Sequence, residues 1–327
     1  MSWEEYWEDL LKNKKLISVV REMNEVDDAL ENEFRIEDIC RKIYYDYNQK
    51  WENELKTVKS GLQEILDGFQ GVHLQTSRVK SVDSVLEKVI TKRYAHLKNS
   101  NNLYTKITGV NYKDIITDLI GMRLIISYRG KWDIIHEAII SAFPYVDNQL
   151  YHKGKLIPHS EGGEQFLAEI PKVYYAYGDN LEMFQEYNVE LIYRDNGYRS
   201  VHYTISYKQT YIELQVRTIY DEAWSDCDHN YVYKHEENDS HSALKQISGV
   251  LCQLTNISND IGENMRDIYE KDAIIDVGNG IWEASGKEIE IFDETISSLR
   301  KAQQKLQGFR EHLVCREGDI NNDEKRE

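Results

Sequence analysis

"NGYRSVHYTISYKQTYIELQVRTIYDEAW", residues 196–224, alternates apolar and hydrogen-bonding side chains through two successive runs. In an extended chain neighbouring side chains point to opposite faces, so residues two apart share a surface. Val201, Tyr203, Ile205 and Tyr207 then share one face, and His202, Thr204 and Ser206 the other. Past a Lys208-Gln209-Thr210 link, Ile212, Leu214 and Val216 form the apolar set and Glu213, Gln215 and Arg217 the polar one. The stretch predicts paired strands with one core face and one polar face. Such a polar face is either plain solvated sheet or the floor of a site, and the alternation alone leaves both open.

Upstream, "YKDIITDLIGMRLIIS", residues 112–127, predicts a helix carrying Ile115, Ile116 and Leu119, a change of direction at Gly121, and a buried strand from Met122 to Ser127. Asp118 then stands at the helix end, at the entrance of the strand from which Arg123 projects. A carboxylate so placed suits magnesium, which takes a few oxygen ligands and keeps waters. An ion pair between Asp118 and Arg123 is the other reading. In "SRVKSVDSVLEKVI", residues 77–90, Ser81 is an N-cap for a helix starting at Val82. Val82, Val85, Leu86 and Val89 make its buried stripe, and Ser81, Ser84 and Lys88 share the opposite face. With Arg78 and Lys80 beside it, this helix start offers amides, dipole and cations to a polyphosphate. Capped helices with exposed lysines also occur without any ligand. Downstream, in "WSDCDHNYVYK", Trp224, Asp228, Tyr231 and Lys234 recur at helical spacing, and Asp228-His229 reads as a metal pair or as a hydrogen-bonding cap.

Around this middle zone, residues 71–240, lie helical patterns at 1–70 and 241–327. Ile36, Ile39, Cys40 and Ile43 mark the first, and "ALKQISGVLCQLTNISNDIGENM" and "EIEIFDETISSLRKAQQKLQGFREHL" the second, with a break at "DVGNGIWEASG" and a polar tail, "REGDINNDEKRE". Gly278 and Gly280 lack the third glycine of a dinucleotide fingerprint, so the break reads as a turn between helices. No GxxxxGK[ST] phosphate loop occurs. A formal net charge of −17 disfavours broad binding to phosphate backbones, although "YHKGKLIPH", residues 151–159, is locally basic. Apolar runs fall far short of the roughly 20 residues that span a bilayer, and the acidic "MSWEEYWEDLL" is unlike a signal peptide. A cytoplasmic protein with no membrane contact is expected. Cys40, Cys227, Cys252 and Cys315 form no CxxC pair and read as reduced thiols, some buried.

Taken in order, "RVKSVDSVLEK", "DLIGMRL", "GYRSVHY", "ELQVRT" and "WSDCDHNYVYK" resemble the synthetase domain of the RelA/SpoT family, makers of the alarmones pppGpp and ppGpp. The match spans residues 77–235 and is similar to the small alarmone synthetases, which lack the family's hydrolase domain. The absence of any His-Asp dipeptide, which that hydrolase needs, agrees. The resemblance implies an α+β fold, a nucleotidyltransferase-like mixed β-sheet surrounded by helices, with helical N- and C-terminal extensions. It implies transfer of the β,γ-diphosphate of ATP to the 3′-hydroxyl of GDP or GTP with release of AMP. Arg78 and Arg123 would clamp the adenine, with Lys80, Ser81, Ser84 and Lys88 around the ATP phosphates. Asp118 and Glu213 would hold Mg2+, and Glu213 would also take the proton from the 3′-hydroxyl. Tyr198 would stack on the guanine, while Arg199, His202, Gln215 and Arg217 would shape the acceptor's phosphates and ribose or support the catalytic carboxylate. Asp228-His229 stands where many members have Glu-His and keeps a polar contact.

Two other functions fit parts of the pattern. Toxin-type members of the family place the diphosphate on the 3′ end of tRNA or on adenosine nucleotides; the acidic charge weighs mildly against tRNA. A nucleotide-binding regulator without turnover would have no need of two acidic metal ligands. The helical flanks suit homo-oligomers, a cover over the core, or neutralisation of a toxin in cis.

Overall fold

Ser2 opens the first helix: its hydroxyl accepts from the Glu5 amide while the Glu5 carboxylate accepts from the Ser2 amide. The computed structural model describes residues 2–29, 35–97, 102–146, 156–232 and 241–270, with scattered positions between 296 and 308. Helices α1 (Trp3–Leu10), α2 (Lys14–Ala29) and α3 (Ile36–Asp46) come first. A π-helical turn, Tyr47–Trp51, carries α3 into α4 (Glu52–Leu66). Ile36, Ile39, Cys40 and Ile43 are all buried, as their spacing predicts.

There follow β1 (Val72–Val79), α5 (Val82–Ala95), α6 (Tyr112–Ile115), β2 (Ile120–Ile126), α7 (Trp132–Ala142), β3 (Gln165–Leu167), β4 (Lys172–Tyr175), β5 (Glu190–Tyr193), β6 (Ser200–Tyr207), β7 (Thr210–Thr218), α8 (Ile219–Tyr231) and α9 (His241–Glu270). Among the described residues the strands form one seven-stranded sheet in the order β1-β2-β7-β6-β4-β5, with β3 also paired to β6. The β2–β7 and β4–β5 pairs are parallel and the others antiparallel. This is the mixed sheet and α+β class expected from the sequence.

The opening stretch is the β6–β7 hairpin, and its alternation holds. Val201, Tyr203, Ile205, Ile212, Leu214 and Val216 are buried in the same cluster as α1–α5, while His202, Thr204, Glu213 and Gln215 are only half-buried. The turn is tighter than expected. Thr210 already pairs with Tyr207, leaving Lys208 and Gln209 alone at φ 50° and 58°. No Asn-Gly signal announces so short a turn.

The second difference lies at residues 112–127. The helix stops at Ile115, Asp118 sits in the turn that follows, and Gly121 lies inside β2, opposite both Arg78 and Glu213. The Lys80 amide donates to Leu119 O at 2.8 Å, so pairing with β1 claims the chain before a longer helix can form. Ile116 and Leu119 are buried in this turn, and an apolar run this short does not announce its period. Behind the sheet, Trp132 of α7 stacks on His136 with ring centres 4.6 Å apart.

Residues 276–286 with Gly278 and Gly280, the polar tail with Cys315, Lys234, and positions 151–155 of the basic stretch lie outside the described residues. Cys40 and Cys252 are buried and Cys227 is exposed. Among the described residues no helix is long and apolar enough to cross a membrane.

Candidate active site

Register assembles the polar face. Arg78, Gly121, Glu213 and Thr204 form one rung across β1, β2, β7 and β6; Thr76, Arg123, Gln215 and His202 form the next. Lys172 of β4 pairs with His202 and extends that second rung. Side chains from five strands thus share one surface because strand pairing keeps rungs in phase.

Glu213 sits in a ring of polar contacts. Gln215 Nε2 donates to Glu213 Oε2 at 2.6 Å, and Arg217 Nη2 donates to Gln215 Oε1 at 2.6 Å and to Tyr198 Oη at 2.5 Å. Tyr198 Oη lies 2.8 Å from His202 Nε2, and His202 Nδ1 lies 3.4 Å from Glu213 Oε1. Since Arg217 donates to the phenol oxygen, the phenol hydrogen is free for Nε2, which leaves the imidazole hydrogen on Nδ1, toward Glu213. Burial lowers the His202 pKa, favouring this neutral form. Burial alone would raise the Glu213 carboxyl, but the contacts from His202 and Gln215 outweigh it and hold it at about 2. Glu213 is ionised at neutral pH.

At the entrance of β2, Asp118 faces two lysines, Lys80 Nζ at 2.7 Å and Lys88 Nζ at 2.8 Å. Burial pushes its carboxyl up, yet Lys88 and Lys80 together hold it below the usual carboxylate range. Lys88 also feels the charge of Glu213. The ion pair open to Asp118 from sequence therefore forms with lysines; Arg123 instead donates to Glu222 of α8 at 2.6 Å. Lys80 is delivered by the end of β1, and Lys88 by α5, whose first turn is capped by Ser81 accepting from the Ser84 amide. The Ser81 hydroxyl also donates to Ser84 Oγ at 3.0 Å.

Beside Glu213 lies a cavity of about 240 Å³, lined also by Arg78, Gly121, Arg123 and Gln215. The Arg78 stem lies across Gly121, where a Cβ would meet Arg78 Nε at 3.6 Å, an ordinary contact. Among the described residues no three His, Cys, Asp or Glu side chains gather as a ready metal cage. Asp118 and Glu213 fit the sparser mode of magnesium, one or two carboxylates completed by water and phosphate oxygens.

The structure thus gathers Arg78, Lys80, Ser81, Ser84, Lys88, Asp118, Arg123, Tyr198, His202, Glu213, Gln215 and Arg217 on or beside one face. Arg199 is placed apart. Its Nε donates to both Asp179 carboxylate oxygens, at 3.0 and 2.9 Å, and its Nη1 to Cys252 Sγ of α9. Asp228 accepts from Ser248 Oγ at 2.6 Å and ties α8 to α9; His229 is exposed in the last turn of α8. Sequence reading missed Glu222, Glu169 and Tyr174. Glu169 accepts from Thr204 Oγ1 at 2.6 Å and Lys172 Nζ at 3.1 Å, and Tyr174 meets the His202 ring edge-on at 4.5 Å. Only the pairing of β4 with β6 puts them there.

Residues 77–238 match the family model described as a region found in RelA / SpoT proteins. Among solved structures, the chain is similar to the small alarmone synthetase 1 from Bacillus subtilis (17% identity, 68% of this chain and 98% of that one, TM-score 0.45). It is similar also to a GTP pyrophosphokinase family protein from Streptococcus pneumoniae (16%, 71% and 98%, 0.44) and to the small alarmone synthetase 2 from Bacillus subtilis (19%, 68% and 98%, 0.39). No curated protein matches.

Proposed function

Because residues 77–238 are a RelA/SpoT region, we propose that the protein is an alarmone synthetase that moves the β,γ-diphosphate of ATP onto the 3′-hydroxyl of GDP or GTP and releases AMP. The observation that carries this reading is an ionised Glu213, braced by His202 and Gln215, on the floor of a cavity flanked by Arg78 and Arg123.

Arg78 and Arg123 present guanidinium planes to the adenine, a stacking surface that a lysine would not supply. The capped start of α5 offers its amides to the phosphates, and Lys80 and Lys88 exchange Asp118 for phosphate oxygens as ATP enters. Asp118 and Glu213 would hold a magnesium ion, whose charge would offset that spread over the phosphoryl oxygens. Tyr198 takes the acceptor base. Glu213 accepts the 3′-hydroxyl proton as the oxygen bonds to the β-phosphorus and the bridge to the α-phosphate breaks, leaving AMP with the bridging oxygen. Carboxylate bases of this kind are worth on the order of 10² to 10⁴ in rate. Positioning and electrostatics supply most of the remainder.

Glu213→Gln and Asp118→Asn are each expected to reduce AMP release from ATP plus GDP by at least about 10², with thermal midpoints close to the parent. Full activity in either folded variant contradicts the assignment.

A further inference from the structure

One residue that the motifs pass over touches both halves of the polar face. Glu222 Oε1 accepts from Arg123 Nη1 at 2.6 Å, and Glu222 Oε2 accepts from Arg217 Nη1 at 3.0 Å. Arg123 stands opposite Gln215 in the parallel β2–β7 pair, so Arg217, two residues on, is its diagonal neighbour on the same surface. Two guanidinium groups so placed repel each other unless an anion lies between them. Glu222 reaches that point because the chain folds back at once. Thr218 both ends β7 and caps α8, its hydroxyl oxygen accepting from the Asp221 amide at 3.1 Å, so the first turn of α8 returns over the end of the sheet.

From Glu222 one arm leads to the arginine side of the cavity, and the other to the groups that line its opposite side, Gln215 and Glu213, and to Tyr198. Arg123 lines the cavity assigned above to the adenine end of ATP. Arg217 holds Tyr198 and Gln215, and Gln215 holds Glu213. The geometry points to Glu222 as a positioning residue that couples Arg123, on the adenine side of the cavity, to the Arg217-held Tyr198 and Gln215 that receive the acceptor and brace the carboxylate. The inference rests on the reaction proposed above. A base settling on Arg123 fixes that guanidinium, Glu222 transmits the constraint to Arg217, and Arg217 orients the phenol and amide that receive the acceptor and brace the carboxylate. Each nucleotide therefore raises the affinity of the other, as reciprocal linkage requires.

The test is calorimetric titration of GDP into the protein with magnesium, alone and saturated with α,β-methylene ATP, which cannot transfer its diphosphate. The parent is expected to bind GDP roughly tenfold more tightly in the presence of the analogue. Glu222→Gln, whose amide has one acceptor oxygen for two arginines, is expected to bind GDP equally with and without the analogue while unfolding at the parent temperature. Glu222→Asp keeps the charge but is one methylene short of spanning both arginines, and is expected to behave the same way. Parental coupling in either folded variant overturns the inference while leaving the proposed reaction intact, as does a parent that transfers diphosphate but shows no coupling. A parent that binds neither nucleotide overturns the reaction and this inference together.

Discussion

His136 is buried behind the sheet, 3% exposed, and desolvation draws its pKa down to about 4. Trp132 Nε1 donates to Tyr203 Oη at 3.0 Å, so the phenol hydrogen goes to His136 Nδ1, also 3.0 Å away, and the ring must stay neutral to accept it. The depressed value sets the sign of the pH dependence. In the unfolded chain the ring titrates near 6.5, so the stabilisation is present above that pH and is lost as pH falls from 6.5 toward 4. Its full size is on the order of 3 kcal/mol. Urea unfolding at pH 7 and 5 is expected to show about 2 kcal/mol of that loss in the parent and a flatter dependence in His136→Asn, which does not titrate; identical slopes would contradict it. Single residues of the candidate site were more legible than this one. Glu213, Gln215 and Arg217 show in the alternation because a strand has a period of two, whereas "WDIIHEAII" holds a lone histidine whose partner is 67 residues away. Glu222 was illegible for a related reason: an acidic residue in a first helical turn is ordinary, and only the tight return at Thr218 aims it at two arginines.

At the scale of elements, the β6–β7 hairpin is both the most legible feature and the one with a local cost. Lys208 and Gln209 hold left-handed backbone that side chains with a Cβ adopt at a penalty of about 1 kcal/mol or more. Gln209→Gly is expected to raise the urea midpoint, adding on the order of 1 kcal/mol, with the polar face undisturbed; an unchanged or lower midpoint would count against the two-residue turn. The stop of α6 at Ile115 was hidden because Ile116 and Leu119, apolar and buried in the turn, continue the helical spacing of the run. The capped start of α5 was plain because Ser81 does what a serine does there in any fold.

On the scale of the whole molecule, the N-terminal helices are built into the site's foundations. Trp3, Ile43 and Leu62 belong to the same buried cluster as Leu124, Tyr203 and Leu214 of the sheet. Tyr6 Oη donates to Asp83 in the first turn of α5 at 2.5 Å, Tyr47 Oη donates to Lys80 O, and Tyr112 Oη donates to Asp46 at 2.9 Å. At the other end, Asn259 of α9 donates to Asp221 at 3.1 Å, and Trp224 Nε1 donates to Ser248 O at 3.0 Å. Helical content by circular dichroism and tryptophan fluorescence are expected to report a single coincident urea transition; an earlier loss of helix would contradict a shared core. The apolar stripes of these flanks were visible in the sequence, but a stripe says that a face is covered and not by what.

The central claim is the destination of one diphosphate. Incubating the protein with magnesium and γ-phosphate-labelled ATP, in parallel with GDP, GTP, no acceptor and bulk tRNA, locates it directly. The account predicts label at the 3′ position of the guanosine nucleotide with equimolar AMP; label on tRNA or an adenosine product, or no transfer at all, would contradict it.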